Sequence, residues 1–234
     1  MLSRAILKST HSKFHLSFNI ENIDGIFPSF VPGNFVVLHG LPAILHLSML
    51  LCVRAQRSYQ LGGLETTVVF IDGGNTFRLY NVSHIAQLHE LSPKVVLERI
   101  FISRAFTAYQ MTSLILDELQ GTIEEHDSKL VIVSDIAGPY LNTDLPKREA
   151  REVFNQLTKS LLKLAEESRV LVVATYLLHH PSERNFFFKT LVLGRADVVA
   201  SVKPSRYGQQ FVLEKSALLE KMHFPQRILN SRNL

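Results

Sequence analysis

Residues 35–47 place an apolar run, a glycine and an apolar segment in the order that a phosphate-binding loop requires. The run at 35–38 ends near Gly40, and a strongly apolar segment begins at about Ala43. In the pattern G-x-x-x-x-G-K-[ST], backbone N–H groups cradle phosphates, the lysine neutralises them and the hydroxyl holds magnesium. Counted from Gly40, the last three positions of the pattern are Leu45, His46 and Leu47.

The second glycine, the lysine and the hydroxyl of that pattern are therefore missing, which removes most of the chemistry that binds a nucleoside triphosphate. A helix starting near Ala43 still offers N–H groups and a favourable dipole. His46 is the one side chain that could replace the lysine, although a histidine on an apolar helix is more often bonded within the core. ATP with magnesium is expected to bind weakly or not at all. The alternative is that Gly40 is an ordinary turn glycine.

Short apolar runs alternate with helical periods along the chain. The runs are β-branched and nearly continuous in hydrophobicity, which predicts strands buried on both faces, at 35–38, 67–71, 99–102, 130–133 and 170–174. Helices are predicted at 43–58, 82–91, 108–126 and 146–168. The alternation predicts a mainly parallel α/β sheet. Residues 196–203 and 209–214 predict a C-terminal antiparallel hairpin.

Polar residues follow the predicted strands. In an open parallel sheet, ligands bind beyond the carboxyl ends of the strands. Asp72 follows the second strand, and Ser134 with Asp135 follows the fourth. Together with Gly40 and His46, they form the candidate nucleotide site.

These segments resemble the ATPase core of the RecA/RadA-type recombinases, especially archaeal RadA-like paralogues and the related KaiC-like proteins. Residues 69–78, VFIDGGNTFR, are similar to a strand ending in I-D-T-E-x-T-F-R, and residues 103–110, SRAFTAYQ, to R-A-x-x-x-x-H-Q. Residues 130–135, LVIVSD, stand where the Walker B strand belongs, and residues 171–175, LVVAT, where V-V-x-T-N belongs. The resemblance implies a RecA-like P-loop NTPase core over residues 25–234, with helices flanking the sheet.

The departures from this family bear on activity. The resemblance places the catalytic glutamate at Gly74, which has no base to offer. Ser134 takes the place of the Walker B aspartate and Asp135 comes one residue later, so Asp135 is not expected to face a metal. The chain is therefore predicted to be a pseudo-ATPase with no catalytic residue and no bound metal. Its vestigial nucleotide-binding positions are Gly40, His46, Asp72, Ser134 and Asp135.

The net charge of +4 is unevenly distributed. Residues 1–20 carry three basic residues and no acidic one, residues 184–234 carry nine and three, and the middle is left with −5. A basic end suggests a polyanionic partner, unless the charges are sorted by chance. The candidate DNA contacts are Arg184, Lys189, Arg195, Lys203 and Arg206.

Three phenylalanines at 186–188 lie among the first of these basic residues. Aromatic and basic side chains together suit single-stranded DNA, through stacking and phosphate pairing. The alternative is that the phenylalanines pack in the core. His179 and His180 precede them, but adjacent side chains point in different directions, so a shared metal is not predicted.

Bulk properties narrow the remaining possibilities. A chain of 234 residues that is 46% hydrophobic can bury one core. The single cysteine, Cys52, excludes an internal disulfide, and the longest apolar stretch, at 41–53, is too short to span a bilayer. A cytoplasmic protein without membrane contact is expected. Residues 1–24 are predicted to form an N-terminal arm, although a basic, acid-free start equally resembles an organelle presequence.

Three functions are consistent with these observations. The first is a non-hydrolysing RecA/RadA-like paralogue that assists DNA recombination and repair by binding single-stranded DNA, a RadA-type recombinase or both. The second is a DNA-dependent ATPase that is active alone or completed by a neighbouring subunit in an oligomer. The third is a KaiC-like signalling or scaffold protein. The docking segment F-x-x-A of recombinase filaments does not occur in the chain, so independent filament growth is not expected.

Overall fold

Seven strands form one sheet in the computed structural model, which describes residues 15–27, 29–141, 145–206 and 208–216. They are β1 (Phe35–Gly40), β2 (Thr67–Asp72), β3 (Ile100–Arg104), β4 (Ser128–Ser134), β5 (Leu171–Leu177), β6 (Val198–Ser205) and β7 (Gly208–Ser216). The order across the sheet is β3-β2-β4-β5-β1-β6-β7. Neighbouring strands are parallel except β6 and β7, which are antiparallel. The predicted parallel sheet and C-terminal hairpin are confirmed.

Nine α-helical segments are described: α1 (Glu21–Asp24), α2 (Ala43–Arg54), α3 (Leu79–Leu88), α4 (Pro93–Glu98), α5 (Ala108–Ser113), α6 (Leu119–His126), α7 (Gly138–Leu141), α8 (Lys147–Ser168) and α9 (Glu183–Arg195). A π-helical turn, Leu114–Glu118, joins α5 to α6. The four predicted helices are present, with α2 ending earlier than expected and α3 starting earlier. The helix α9 was not among the predicted helices, and the basic and aromatic residues at 184–195 that were considered for DNA binding lie on it.

Both faces of the sheet are covered. In β1, Phe35 and Val37 join one apolar cluster and Val36 and Leu38 join the other, because successive side chains point to opposite faces. Helices α2, α3 and α4 contribute to the second cluster, and α5, α6, α8 and α9 to the first. Strands buried on both faces explain why their sequences read as continuous apolar runs.

The described part of the predicted N-terminal arm, residues 15–24, packs against this core. Leu16, Phe18 and Ile23 are buried in the same cluster as α2. Leu16 and Phe30 form an antiparallel bridge. The buried guanidinium of Arg54 donates to the carbonyl oxygens of Ser17, at 3.2 Å, and of Leu61, at 2.6 Å. The segment therefore belongs structurally with the core, while residues 1–14 lie outside the described residues.

Among the described residues, the helices are all too short or too polar to cross a membrane.

The sheet brings the candidate residues to one edge. Asp72 at the end of β2 is opposite Ser134 on β4 and Arg104 on β3. Leu38 in β1 is opposite Thr175 in β5. Because these strands are parallel, their carboxyl ends and the turns that follow them meet at this edge.

Candidate functional site

The turn after β1 is fixed by close packing against β6. Gly40 has a φ of 115°, in the region that L-residues with side chains rarely adopt. A Cβ atom on residue 40 would lie 2.2 Å from the carbonyl oxygen of Val202. The N–H group of Leu41 donates to that same oxygen at 3.0 Å. Glycine at this position therefore has a structural reason, independent of any ligand.

The backbone N–H groups after Gly40 are mostly occupied. Besides Leu41, Ile44 donates to the carbonyl oxygen of Leu41 at 3.1 Å, and Leu45 donates to that of Pro42 at 2.9 Å. Pro42 has no N–H group to offer. Of residues 41–45, only Ala43 has an N–H group outside these bonds. A cradle of several N–H groups, which binds phosphate in a phosphate-binding loop, is not formed here.

His46 does not lie in the core, and the expectation that its side chain is bonded there is wrong. It is exposed on α2, and its Nε2 atom lies 3.5 Å from the amide nitrogen of Asn81 in α3. Leu47, at the position of the missing hydroxyl, is 5% exposed and packs in the apolar cluster. The helix therefore turns its apolar side inward and leaves the histidine at the surface.

Asp72 serves as a cap for the segment that follows β2. Its carboxylate is buried and accepts hydrogen bonds from the N–H groups of Thr76, at 2.8 Å, and Phe77, at 3.0 Å. The Thr76 hydroxyl also donates to it at 3.0 Å. The Nε atom of Arg104 lies 3.9 Å away. The lone pairs that a cation would need are therefore largely committed to the protein itself.

Ser134 continues this buried network. Its hydroxyl oxygen lies 2.5 Å from that of Thr76 and 3.4 Å from that of Thr175. All three residues are buried. A neutral hydroxyl that is paired within the protein cannot supply the charge of an aspartate to a divalent cation.

Asp135 lies beside Ser134 but faces a different partner. It adopts a left-handed backbone with a φ of 49°, and its N–H group donates to the Thr175 hydroxyl at 2.9 Å. The Nε2 atom of His179 donates to its carboxylate at 2.8 Å. The carboxylate is therefore bonded to a histidine from the loop after β5, and the expectation that Asp135 does not face a metal stays a prediction.

The Asp135 carboxylate occupies the space next to Gly74. A Cβ atom on residue 74 would lie 3.0 Å from the Asp135 Cβ atom and 3.1 Å from one of its carboxylate oxygens. A Cβ atom on Gly138 would lie 2.4 Å from that oxygen. A side chain at position 74 would therefore require Asp135 to shift by a few tenths of an ångström.

The described residues contain no group of three or more histidine, cysteine, aspartate or glutamate side chains arranged to hold a metal ion. His180, next to His179, is exposed.

Two of the basic residues proposed to contact DNA are instead bonded within the fold. Arg184 donates to the carbonyl oxygens of Tyr140, at 3.3 Å, and Leu145, at 2.9 Å. Arg195 donates to the carbonyl oxygen of Asn155 at 2.6 Å and also to the Thr158 hydroxyl. Burial lowers the pKa of the Arg195 guanidinium. The two residues lie at opposite ends of α9, about 16 Å apart along its axis.

The other three candidates lie at different places. Lys189 is half-buried on α9, and Arg206 is exposed in the turn of the hairpin. Lys203 forms an ion pair of 2.6 Å with Glu214. The five candidates are therefore spread over a helix and a hairpin, and a DNA contact by any of them stays a prediction. Of the three phenylalanines, Phe188 is buried and Phe186 is 74% exposed.

A second polar cluster connects β1 to the hairpin and was missed in the sequence. The Nε2 atom of buried His39 lies 2.8 Å from one carboxylate oxygen of Glu214. The other oxygen accepts from the Ser201 hydroxyl at 2.8 Å and from Lys203. The bond to His39 is the main reason that the pKa of Glu214 is held well below its ordinary value. These partners lie far apart in sequence, and no local pattern reveals them.

The roles of Thr76 and His179 were also missed, for different reasons. Thr76 follows Asp72 by four residues, and an aspartate that caps the backbone just after it is a recognisable turn signal. His179 and Asp135 come from different loops, and only the order of β4 and β5 in the sheet brings them together.

Comparison with known proteins adds to this geometry. The family model described as Rad51 matches residues 43–190. The chain is 30% identical over 128 residues to a DNA repair and recombination protein RadA from Cenarchaeum symbiosum, covering 53% of this chain and 32% of that protein. It is 30% identical over 132 residues to the meiotic recombination protein DMC1 of Saccharomyces cerevisiae, which covers 55% of this chain and 39% of that protein. It is 28% identical over 159 residues to a RadA from Aeropyrum pernix, covering 66% and 46%. The chain thus spans less than half the length of each of these relatives.

Proposed function

The chain belongs to the Rad51 family, and we propose that it acts in DNA recombination and repair as a member that does not hydrolyse ATP. It works as an accessory protein, through contact with single-stranded DNA or with an active recombinase. The similarity to proteins named for DNA repair and for meiotic recombination supports the process. Because the chain spans less than half of those relatives, the role is proposed for this core and not for their whole activity.

The observation that carries the proposal is the closed hydrogen-bond network at the carboxyl edge of the sheet. Asp72 caps Thr76 and Phe77, the Thr76 hydroxyl contacts Ser134, and Asp135 is bonded to His179. Buried polar groups that are already satisfied gain little from a ligand, because a new bond must replace an existing one.

Magnesium with ATP does not fit the residues at this edge. The N–H groups of Leu41, Ile44 and Leu45 are bonded to carbonyl oxygens, and the position of the lysine is an exposed histidine, His46. The position of the magnesium-binding hydroxyl is a buried leucine, Leu47. The position of the catalytic glutamate is a glycine, Gly74, which adjoins the Asp135 carboxylate. No step of hydrolysis is therefore assigned to this chain.

A protein that does not hydrolyse ATP cannot use a nucleotide cycle to change the conformation of its loops. In nucleotide-driven proteins, the γ-phosphate and its magnesium hold loops that are released on hydrolysis. In this chain the protein's own side chains hold the loops at the carboxyl edge of the sheet, so we expect these loops to keep one conformation and to offer the same binding surface throughout. The accessory role is accordingly stoichiometric, and the protein stabilises a complex for as long as it stays bound.

Phosphate release in a mixture of purified proteins tests the proposal. The chain is combined with single-stranded DNA and a RadA-type recombinase whose own phosphate-binding lysine has been replaced. We expect no phosphate release above that of the inactive recombinase alone. Release that requires both proteins contradicts the proposal and favours an ATPase completed in trans.

Binding assays complete the test. Retention of the chain on immobilised single-stranded DNA, or its co-sedimentation with the intact recombinase on DNA, is expected. If neither occurs at low salt, the accessory role is wrong and the signalling or scaffold alternative gains support.

A further inference from the structure

The first described segment of the chain crosses the core, and we call residues 15–27 the strap. Phe18, Ile23 and Phe27 of the strap are buried in the apolar cluster that also contains residues of α2. The centre of the Phe18 ring lies 6.0 Å from that of Phe211 in β7. The strap therefore covers apolar surface that belongs to α2 and to the C-terminal hairpin.

A carboxylate of the strap is buried without a full set of partners. One oxygen of Asp24 in α1, Oδ1, is buried and receives no hydrogen bond. The backbone N–H groups of Phe18, Asn19 and Ile20 interact with the carboxylate from the preceding turn. A buried ionised carboxylate with an unpartnered oxygen is costly, whereas the protonated carboxyl group carries no charge to desolvate. Oδ1 is therefore a position that a proton can fill without any rearrangement of the strap.

The cation that faces Asp24 is Arg54 of α2. Its guanidinium group is committed to the carbonyl oxygens of Ser17, at 3.2 Å, and Leu61, at 2.6 Å. Asp24 forms no ion pair with any of the described residues, so Arg54 attracts it only from a distance. Burial outweighs this attraction and raises the pKa of Asp24 to about 6.

The other titratable groups of this region are separable from Asp24. Glu21 is exposed on the same helical turn, and His15 lies at the start of the strap. Burial, followed by the fields of Arg54 and of the neighbouring Arg57, lowers the pKa of His89. A histidine whose pKa is lowered by folding makes the fold less stable as pH falls, which is the opposite of what a carboxyl group with a raised pKa does.

We propose that Asp24 is a pH-sensitive latch, which holds the strap on the core when it carries a proton and lets the strap open more often when it is ionised. A carboxyl group whose pKa is higher in the closed state binds its proton more tightly in that state. Its contribution to closure is complete below the unfolded-state pKa of 3.8 and is lost as pH rises through about 6. The inference does not depend on the proposed function.

Opening of the strap changes the surface of the core. The guanidinium group of Arg54 loses the carbonyl oxygen of Ser17, and the ring of Phe18 leaves that of Phe211. Apolar surface of α2 and β7 then becomes accessible, and a partner that binds this surface shifts the strap further towards the open state. The protonation of one carboxyl group therefore sets how often this surface is available.

Amide hydrogen exchange of the unaltered chain, corrected for the intrinsic effect of pH on exchange, measures this opening. A pKa that rises from 3.8 to about 6 on closure makes the closed state about tenfold more favourable at pH 5 than at pH 7.5. Partial exposure of the carboxylate reduces this ratio, so we expect protection of residues 15–27 to increase by about three- to tenfold over that interval. Protection of α8 is the internal reference and should not follow it.

Asp24→Asn is the most discriminating variant, because asparagine has nearly the same size and is neutral at every pH. Its strap should be protected at pH 7.5 about as well as that of the unaltered chain at pH 5, and a misfolded protein cannot produce this gain. The matched controls are Glu21→Gln, His15→Gln and His89→Gln. Each should keep the pH dependence of the strap within about 1.5-fold of that in the unaltered chain.

Three outcomes overturn the inference. The first is equal protection of the strap at both pH values in the unaltered chain. The second is an Asp24→Asn variant that keeps the pH dependence. The third is an equal change in α8, which means that ionisation acts on the whole fold and not on the strap. Carbon-13 titration of the Asp24 carboxyl group provides a test that needs no variant, and a midpoint near the ordinary value of 3.8 also contradicts the latch.

Discussion

Replacing Asp72 with alanine should destabilise the protein strongly, because this carboxylate is a structural cap. It is 1% exposed and accepts three hydrogen bonds, from the N–H groups of Thr76 and Phe77 and from the Thr76 hydroxyl. Alanine leaves two buried N–H groups without an acceptor, at about 1–3 kcal/mol each. We expect the free energy of unfolding to fall by about 3–5 kcal/mol.

Equilibrium unfolding in urea measures this change, with and without millimolar magnesium chloride. Asp72→Asn keeps one acceptor oxygen, so it should lose about half as much and provides a second variant if alanine prevents folding. Asp117→Ala, which removes an exposed carboxylate, is the control and should change the free energy by less than about 0.5 kcal/mol.

The reasoning is refuted if Asp72→Ala costs less than about 1 kcal/mol. It is also refuted if magnesium stabilises the unaltered protein and this stabilisation disappears in Asp72→Asn. That pair of results means that Asp72 is kept for a cation and that the hydrogen bonds to Thr76 and Phe77 are secondary.

Three further predictions concern other parts of the fold. Because the pKa of Glu214 is lowered in the folded protein, its ion pairs stabilise the fold fully above the unfolded-state pKa of 4.5, and this stabilisation is lost progressively as pH falls below that value. In Glu214→Gln, the free energy of unfolding in urea should therefore decrease less between about pH 5 and 3 than in the unaltered protein. Gly40→Ala should lower the free energy of unfolding by about 3 kcal/mol or more, because the added methyl group clashes with β6. The control is Gly121→Ala, in a helix, where the added methyl group meets no atom within 4 Å and should stabilise the protein by about 0.5–1 kcal/mol. Thermal unfolding of both variants measures these changes. Arg195→Ala should lower the free energy of unfolding by about 2 kcal/mol while leaving DNA retention of the folded protein unchanged, and a selective loss of retention contradicts the structural role.

Much of the sheet was predictable from the sequence. Strands β1, β4 and β5 are short β-branched runs buried on both faces, and this pattern identifies them without reference to their neighbours. The expectation of burial on both faces is wrong for β3, because it lies at the edge of the sheet and leaves Ile102 40% exposed. The hairpin was recognisable because Pro204 and Gly208 separate two apolar runs. The edge at which the candidate residues meet also followed, because parallel strands put their carboxyl ends on one side.

The side-chain pairings at that edge could not be predicted in the same way. Whether Arg195 faces solvent or binds Asn155 depends on how α8 and α9 pack, and basic residues beside phenylalanines are compatible with both arrangements. His46 looked like a core residue because its helix is apolar nearly all round, yet the helix leaves that position exposed. Such outcomes depend on tertiary contacts that have no signature in a local window of sequence.

Isothermal titration of the whole chain with ATP in the presence of magnesium tests the central claim most directly. The closed network around Asp72, Ser134 and Asp135 predicts no heat beyond that of dilution, with or without the cation. A saturable, magnesium-dependent isotherm with about one ATP per chain would contradict it, because such binding requires the N–H groups after Gly40 to leave their present partners.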